Sequence, residues 1–320
     1  MNVPYRAILP EKLDGLAVVG LGISAHRDAQ PLMRMQPDVQ NAGYAAGVAA
    51  AMAAEKGTEL RAIDVKALQR HLVEKGVIPE EVLTWEDNAG VDAERMLAAV
   101  RDMGDGYKGV SIVLSDPERA VPVLRDAYAK AKTPSARLVY AHVLGILGDA
   151  TGAETLARQV SGRDAPIKIN VHGLSAFGRR MSERDSLIVA LGRTRSPLAL
   201  GPLLAELAKV DANTQLAHVR ALALALEALQ EPRAARAIAE VLAKPGVSGW
   251  ARPGAAAVTP SGGFGSSNEN RCCLRELHLA RALYACGDHE GAARKIFEAY
   301  AADGRGVFAL HARTVLGRRQ

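Results

Sequence analysis

At 320 residues the chain is long enough for two domains and a well-buried core. It is 48% hydrophobic but only 4% aromatic, so its core must be built from Ala, Leu and Val, which suits close-packed helices better than sandwiches or barrels. A net charge of +5, with Lys and Arg interspersed among Asp and Glu, gives no basic stripe of the kind nucleic-acid binding requires. The longest uncharged run, Ala42–Ala54, falls short of the roughly 20 apolar residues that cross a bilayer. The N-terminus has no signal layout. The chain is therefore read as cytoplasmic, engaging neither nucleic acid nor membrane.

Leu16–Gly20 (LAVVG) is a short continuous apolar run and predicts a strand buried on both faces. A glycine turn, Gly20-Leu-Gly-Ile-Ser-Ala25, follows it. Then comes a helix opened by Pro37, with Asp38, Gln40 and Asn41 in its first turn and almost only Ala, Gly and Val beyond. This is how a protein brings bare backbone and a helix N-terminus to a bulky, electron-rich ligand. A second helix is expected with Asp64 as N-cap, Val65, Leu68 and Leu72 at helical spacing, and Gly76 closing it. One strand and two helices cannot bury their own faces, so residues 1–80 need a sheet that the sequence does not visibly supply. Residues 81–91 read as a linker.

From Asp92 to the end, residues 92–320 read as helix after helix. Turns are expected at Asp116-Pro117, Gly148-Asp149, Ser196-Pro197, Glu231-Pro232 and Gly287-Asp288. Between them lie amphipathic pairs: Ala136–Leu147 with Thr155–Val160, Leu187–Thr194 with Leu198–Val210, and Leu216–Leu229 with Ala234–Leu242. Turn intervals of about 33–35 residues mark an α-solenoid of two-helix units. Two insertions interrupt it, Ser161–Arg180 and Pro245–Asn270. The second embeds Trp250 and Phe264 in a polar, glycine-rich segment, either packed on a neighbouring domain or a tether. Cys272, Cys273 and Cys286 form no disulfide framework and read as reduced thiols of a helix core. His142, His218, His278 and His311 each fall in a helical pattern, as interface or surface histidines rather than metal ligands.

The first unit resembles the C-terminal end of the FAD-dependent oxidoreductase family with a glutathione-reductase-like FAD fold. The resemblance rests on Tyr5, Arg6, Leu9, Pro10, Gly20, Ile23, Ser24, Ala25, Ala29, Arg34, Pro37, Gly43, Ala45, Ala46 and Gly47. It implies a strand and turn that approach the ribityl and pyrophosphate region of FAD. It also implies a helix that points its N-terminus at the pyrimidine edge of the flavin. The cofactor-binding residues it implies are Gly20, Leu21, Ser24, Arg34, Pro37, Asp38, Gln40 and Gly43. Gly43 and Gly47, one turn apart, would let the helix pack tightly on sheet or cofactor. Leu21 stands where the family usually has Arg or Lys, and Arg27 where it often has His, with His26 adjacent. Arg34 either contacts flavin or substrate or caps local carbonyls. No residue is assigned as catalytic, and none as a metal ligand.

An FAD fold of this kind opens with a strand, a Gly-x-Gly-x-x-Gly turn and a helix. No such arrangement occurs in the sequence, and Gly104-Asp-Gly106 lacks both the third glycine and a preceding apolar strand. The expected architecture is thus mainly α: a short α/β remnant of an FAD-binding domain followed by an α-solenoid of HEAT-like helix pairs. The expected function is the C-terminal part of an FAD-dependent oxidoreductase that transfers hydride through flavin. FAD binding would be completed by a missing FAD-domain portion or a partner subunit. The alternative is a HEAT-like repeat scaffold whose solenoid holds a protein partner.

Overall fold

A computed structural model describes residues 3–25, 33–85, 91–162, 181–254 and 268–317. The chain divides into two compact units, Met1–Gly90 and Val91–Gln320. The protein is mainly helical, and no described helix is long and apolar enough to cross a membrane.

Unit 1 is organised by two helices. Helix α1 (Gln36–Lys56) carries Pro37 in its first turn and ends at Gly57, whose φ of 62° reverses the chain. It buries a narrow seam, Ala46, Ala49 and Ala53. Helix α2 (Val65–Glu74) starts where Asp64 accepts a hydrogen bond from the Ala67 N–H, as its sequence position predicts. Its i, i+4 pair Leu68 and Leu72 meets the α1 seam together with Leu60 and Ile63. Gly76, at φ 68°, lets the Val77 N–H return to the Leu72 carbonyl and closes the helix.

The strand expected at Leu16–Gly20 does not form. Leu16–Val19 take no regular structure, the Val18 N–H donates to Ile8 O at 2.8 Å, Val19 is extended, and Gly20–Gly22 is a 3-10 turn. Nor is the run buried on both faces: with no second run to pair with, Leu16 is exposed, and only Ala17 and Val19 pack, half-buried, on Ile8, Ile23 and Ala46. Among the described residues the only bridges are isolated contacts of Pro253 and Gly254 with Asp303. Within the segment read as a linker, Glu80–Thr84 forms a 3-10 turn that buries Val82. Residues 86–90 lie outside the described ones.

Unit 2 begins with α3 (Ala93–Met103), α4 (Val110–Ser115) and α5 (Pro117–Lys130), the last capped by Asp116. Four helices then pack in succession: α6 (Pro134–Ile146), α8 (Glu183–Arg193), α10 (Leu216–Leu229) and α12 (Asn268–Ala285). Behind them lie α7 (Ala153–Val160), α9 (Leu200–Leu207), α11 (Ala235–Leu242) and α13 (Ala292–Ala301), and α14 (Gly306–Gly317) packs on α13. Small residues set the spacing of the front row. A Cβ on Gly145 would stand 2.9 Å from Ala190 O, and the same relation recurs between Gly192 and Ala225. Leu and Ala fill the interior, including Leu144, Leu191, Leu222, Leu226 and Leu283.

The front row is also stitched by polar side chains. Asp185 accepts from its capping partner Ser182 across the first turn of α8 and meets His218 of α10 at 2.5 Å. Burial alone would raise the Asp185 carboxyl, but the His218 and Ser182 hydrogen bonds outweigh it and hold the carboxyl below its ordinary range. Arg281 of α12 pairs with Glu227 of α10, and Arg184 reaches both Glu206 and the Val160 carbonyl.

The described part of the second insertion packs on unit 2 itself. Trp250 lies against the unit 2 core, and its backbone N–H donates to Glu276 of α12 at 3.0 Å. Phe264 and the whole of 163–180 lie outside the described residues. All three cysteines are free and buried.

Candidate functional site

The first turn of α1 has no side-chain cap. Met35, extended at ψ 147°, leads into Gln36, and Pro37 has no N–H. The positive end of a 21-residue helix is therefore presented without a side-chain acceptor of its own. Gly20 turns the chain beside it. A Cβ there would meet Val39 Cγ1 at a tolerable 3.5 Å, so glycine is required by its φ of +70° rather than by lack of room.

A cavity of about 350 Å³ opens among the N-terminal segment, α1 and α2. Its walls are mostly apolar, from Tyr5, Ile8, Ala45, Leu68 and Leu72, with Asp38 and Asn41 at the α1 side and Gln69 on α2. Among the described residues the side-chain oxygen of Gln69 is buried without a hydrogen-bond partner. An acceptor left unmet in an apolar wall costs roughly 1–3 kcal/mol, which a ligand N–H would recover.

Two side chains fasten the N-terminal segment over this cavity. Tyr5 donates to the Leu60 carbonyl at 2.8 Å, and burial pushes its hydroxyl pKa up. Arg61 reaches Asp14 at 2.6 Å and also donates to the Pro10 and Leu13 carbonyls. At the far side of α1, Tyr44 stacks on His71 and shares a 2.9 Å hydrogen bond with its Nε2.

Of the eight residues expected to bind cofactor, the cavity brings together Gly20 and Asp38. Leu21, Ser24, Arg34, Pro37, Gln40 and Gly43 are exposed and do not wall it, and Leu21 is 70% exposed. Beside Gly43 and Gly47 there is open space; a Cβ at either would meet nothing within 4 Å. The face expected to pack on sheet or cofactor is thus uncovered by any described residue of its own unit. His26 and Arg27 lie outside the described residues. In the sequence Asn41 stands in the first turn of the helix and Ala45 in the family pattern, neither counted as a cofactor contact, and Gln69 was missed. The usable signal for Gln69 was a lone polar side chain set between Val65, Leu68 and Leu72 on the apolar face of α2.

Residues 1–72 match the family model described as FAD dependent oxidoreductase. No curated protein and no solved structure matches the chain. The family match supports an FAD-dependent oxidoreductase region in the first unit, with FAD as its cofactor. The geometry fits one end of that cofactor. An uncapped helix terminus, a left-handed glycine turn and an apolar cavity with one unmet acceptor suit a flat, polar-edged ring. No phosphate-binding turn for the dinucleotide end is present in the sequence.

Proposed function

We propose that unit 1 supplies the flavin-facing end of an FAD site in an oxidoreductase that transfers hydride through flavin. The observation that carries this reading is the match over residues 1–72 together with the uncapped α1 terminus facing the Gly20 turn. FAD, when bound, supplies the two-electron chemistry. This chain's residues would hold it: Gly20 by close backbone approach, the first turn of α1 by its dipole, and Gln69 by accepting a ring N–H. Leu21, Ser24, Arg34, Pro37, Gln40 and Gly43 are kept as further cofactor contacts.

The turn that holds the phosphate end of the cofactor is supplied by another FAD-domain portion or a partner subunit, which also covers Gly43 and Gly47. Unit 2 is a solenoid of HEAT-like pairs, α6/α7 through α12/α13, and serves as the surface that recruits a protein partner. The division between Gly90 and Val91 and the succession of front-row helices support this arrangement. The chain is read as cytoplasmic, with no nucleic-acid or membrane partner.

The test is flavin binding by the purified chain. Alone it should be colourless and quench FAD fluorescence weakly; joined to an FAD domain that carries the missing phosphate turn, it should be yellow. In that assembly Gln69→Leu should weaken FAD retention while leaving the apo fold intact. A joined assembly that stays colourless at saturating FAD would refute the reading.

A further inference from the structure

The glycine-rich stretch Gly104-Asp-Gly-Tyr-Lys-Gly109 plays no part in the flavin reading, yet its conformation is tightly specified. Gly106, Tyr107 and Gly109 all have positive φ, at 79°, 67° and 76°. Gly109 is pressed against helix α3, where a Cβ would stand 2.8 Å from Ala99 O. Tyr107 is a bulky residue in the left-handed region, a conformation that persists only when its surroundings enforce it. The result is that its ring meets His142 of α6 edge-on, with centroids 5.6 Å apart.

A three-residue hydrogen-bonded chain follows. The Tyr107 hydroxyl lies 2.6 Å from His142 Nδ1, and His142 Nε2 lies 2.8 Å from Ser186 Oγ on α8. The three residues line one side of a cavity of about 610 Å³, completed by Val110, Leu114 and Ile146. That size lies within the range of small-molecule sites. The imidazole is hard to protonate, because burial lowers its pKa to about 4. Burial and, secondly, the charge of Glu183 keep Tyr107 protonated. At the rim Lys108 is paired with Asp105 at 2.6 Å. The pocket therefore presents polar groups without an unpaired charge.

The chain of hydrogen bonds has two self-consistent directions. Either Tyr107 donates to Nδ1 and the Nε2–H donates to Ser186, or Ser186 donates to Nε2 and the Nδ1–H donates to Tyr107. Switching direction exchanges which terminal hydroxyl has a hydrogen free to donate. Such an array meets a neutral donor or acceptor in either direction but brings no counter-charge to offset the desolvation of an ion. Nor is it built for nucleophilic attack by Ser186. A neutral phenol stands where a carboxylate would stabilise imidazolium, and the imidazole resists the proton it would have to take.

We propose that this cavity in unit 2 binds a small, neutral, largely apolar ring compound that carries a hydroxyl or carbonyl group, read by Ser186, His142 and Tyr107. The proposal stands independently of the flavin reading. The test titrates the full chain, labelled with ¹⁵N-histidine, with 2-naphthol at pH 7. The His142 ring nitrogens should shift saturably, and Ser186→Ala or Tyr107→Phe should weaken binding about tenfold, the value of one lost hydrogen bond. Leu114→Trp, which narrows the cavity and leaves the hydrogen bonds in place, should weaken the binding. Naphthoate and naphthylmethylammonium should each bind at least about tenfold more weakly than the naphthol. An absence of saturable shifts, an ion that binds as tightly as the naphthol, or binding unchanged in Leu114→Trp overturns the proposal.

Discussion

Gly192 on α8 lies so close to Ala225 on α10 that a methyl group on the glycine would stand 2.3 Å from the Ala225 Cα. The contact is backbone against backbone, so no rotamer change relieves it. Gly192→Ala gains up to about 1 kcal/mol of helix propensity. Overpacking of a tight interface costs about 1–3 kcal/mol, and the rigid backbone neighbour puts this site at the upper end. A net loss of about 2 kcal/mol in urea unfolding is expected.

The opposite sign is expected at Gly47 on α1, where an added Cβ meets nothing within 4 Å. In the chain alone Gly47→Ala should stabilise unit 1 by about 0.5–1 kcal/mol. If a further FAD-domain portion packs on this face, the same substitution should weaken its association. A thermal melt of the chain alone and a pull-down with the joined domain separate the two effects.

Asp185 joins two elements of the fold: the α8 cap through Ser182, and α10 through His218. Removing the carboxylate in Asp185→Ala leaves Ser182 N–H and the buried edge of His218 without their acceptor. The expected loss is about 2–4 kcal/mol, larger than a cap alone contributes. Asp185→Asn should recover part of it, since one oxygen remains. Chemical denaturation of the two variants side by side reads the difference.

Much of unit 2 was legible because its turns are punctuated. Asp116-Pro117 and Ser196-Pro197 each place a capping side chain before a proline, and both start helices in the structure. Asp64 was legible as a capping side chain ahead of Val65, Leu68 and Leu72 at helical spacing. Leu16–Gly20 was misread because five apolar residues carry no period that separates a strand from half-buried irregular chain. The Tyr107–His142–Ser186 chain could not be read at all. Its members lie 35 and 44 residues apart, and packing alone brings them together. In unit 1, Gly20 and Asp38 were legible as a glycine turn and a helix start, whereas Gln69 reaches the same cavity from another helix.

Acid should unfold unit 2 in two stages. Burial lowers the pKa of both His142 and His278 to about 4, and for His278 the charges of Arg220, Arg281 and His311 add to the effect. A histidine whose folded pKa is depressed stabilises fully above its unfolded value near 6.5 and loses that contribution as pH falls through 4. Each should cost about 2 kcal/mol by pH 5 and about 3 kcal/mol at the limit. The carboxylates of Asp149, Asp185 and Asp303 are held below their ordinary range by hydrogen bonds that outweigh burial, so they fail only at lower pH. Urea midpoints between pH 7.5 and 4.5 should fall steeply, and His278→Gln should flatten the slope.

Glu276 decides whether residues 245–254 stay on unit 2. Its carboxylate is 2% exposed and accepts from the Gly249 N–H at 2.8 Å, the Trp250 N–H at 3.0 Å and the Tyr300 hydroxyl at 2.8 Å. Nearby, Arg305 donates to the Trp250 carbonyl and to Asp303, so the segment is held on both sides. Glu276→Gln keeps the shape but turns an NH₂ toward one of three donors, and Glu276→Ala strands all three. Losses of about 2 and 3–4 kcal/mol respectively are expected. The readout is local as well as global. In a Trp85→Phe background Trp250 is the remaining tryptophan, and its emission should shift to the red as the segment lifts. Protease cleavage within 245–254 should accelerate in parallel. A red shift without faster cleavage would mean that Arg305 alone holds the segment, and Arg305→Ala in the same background would then be the variant that releases it.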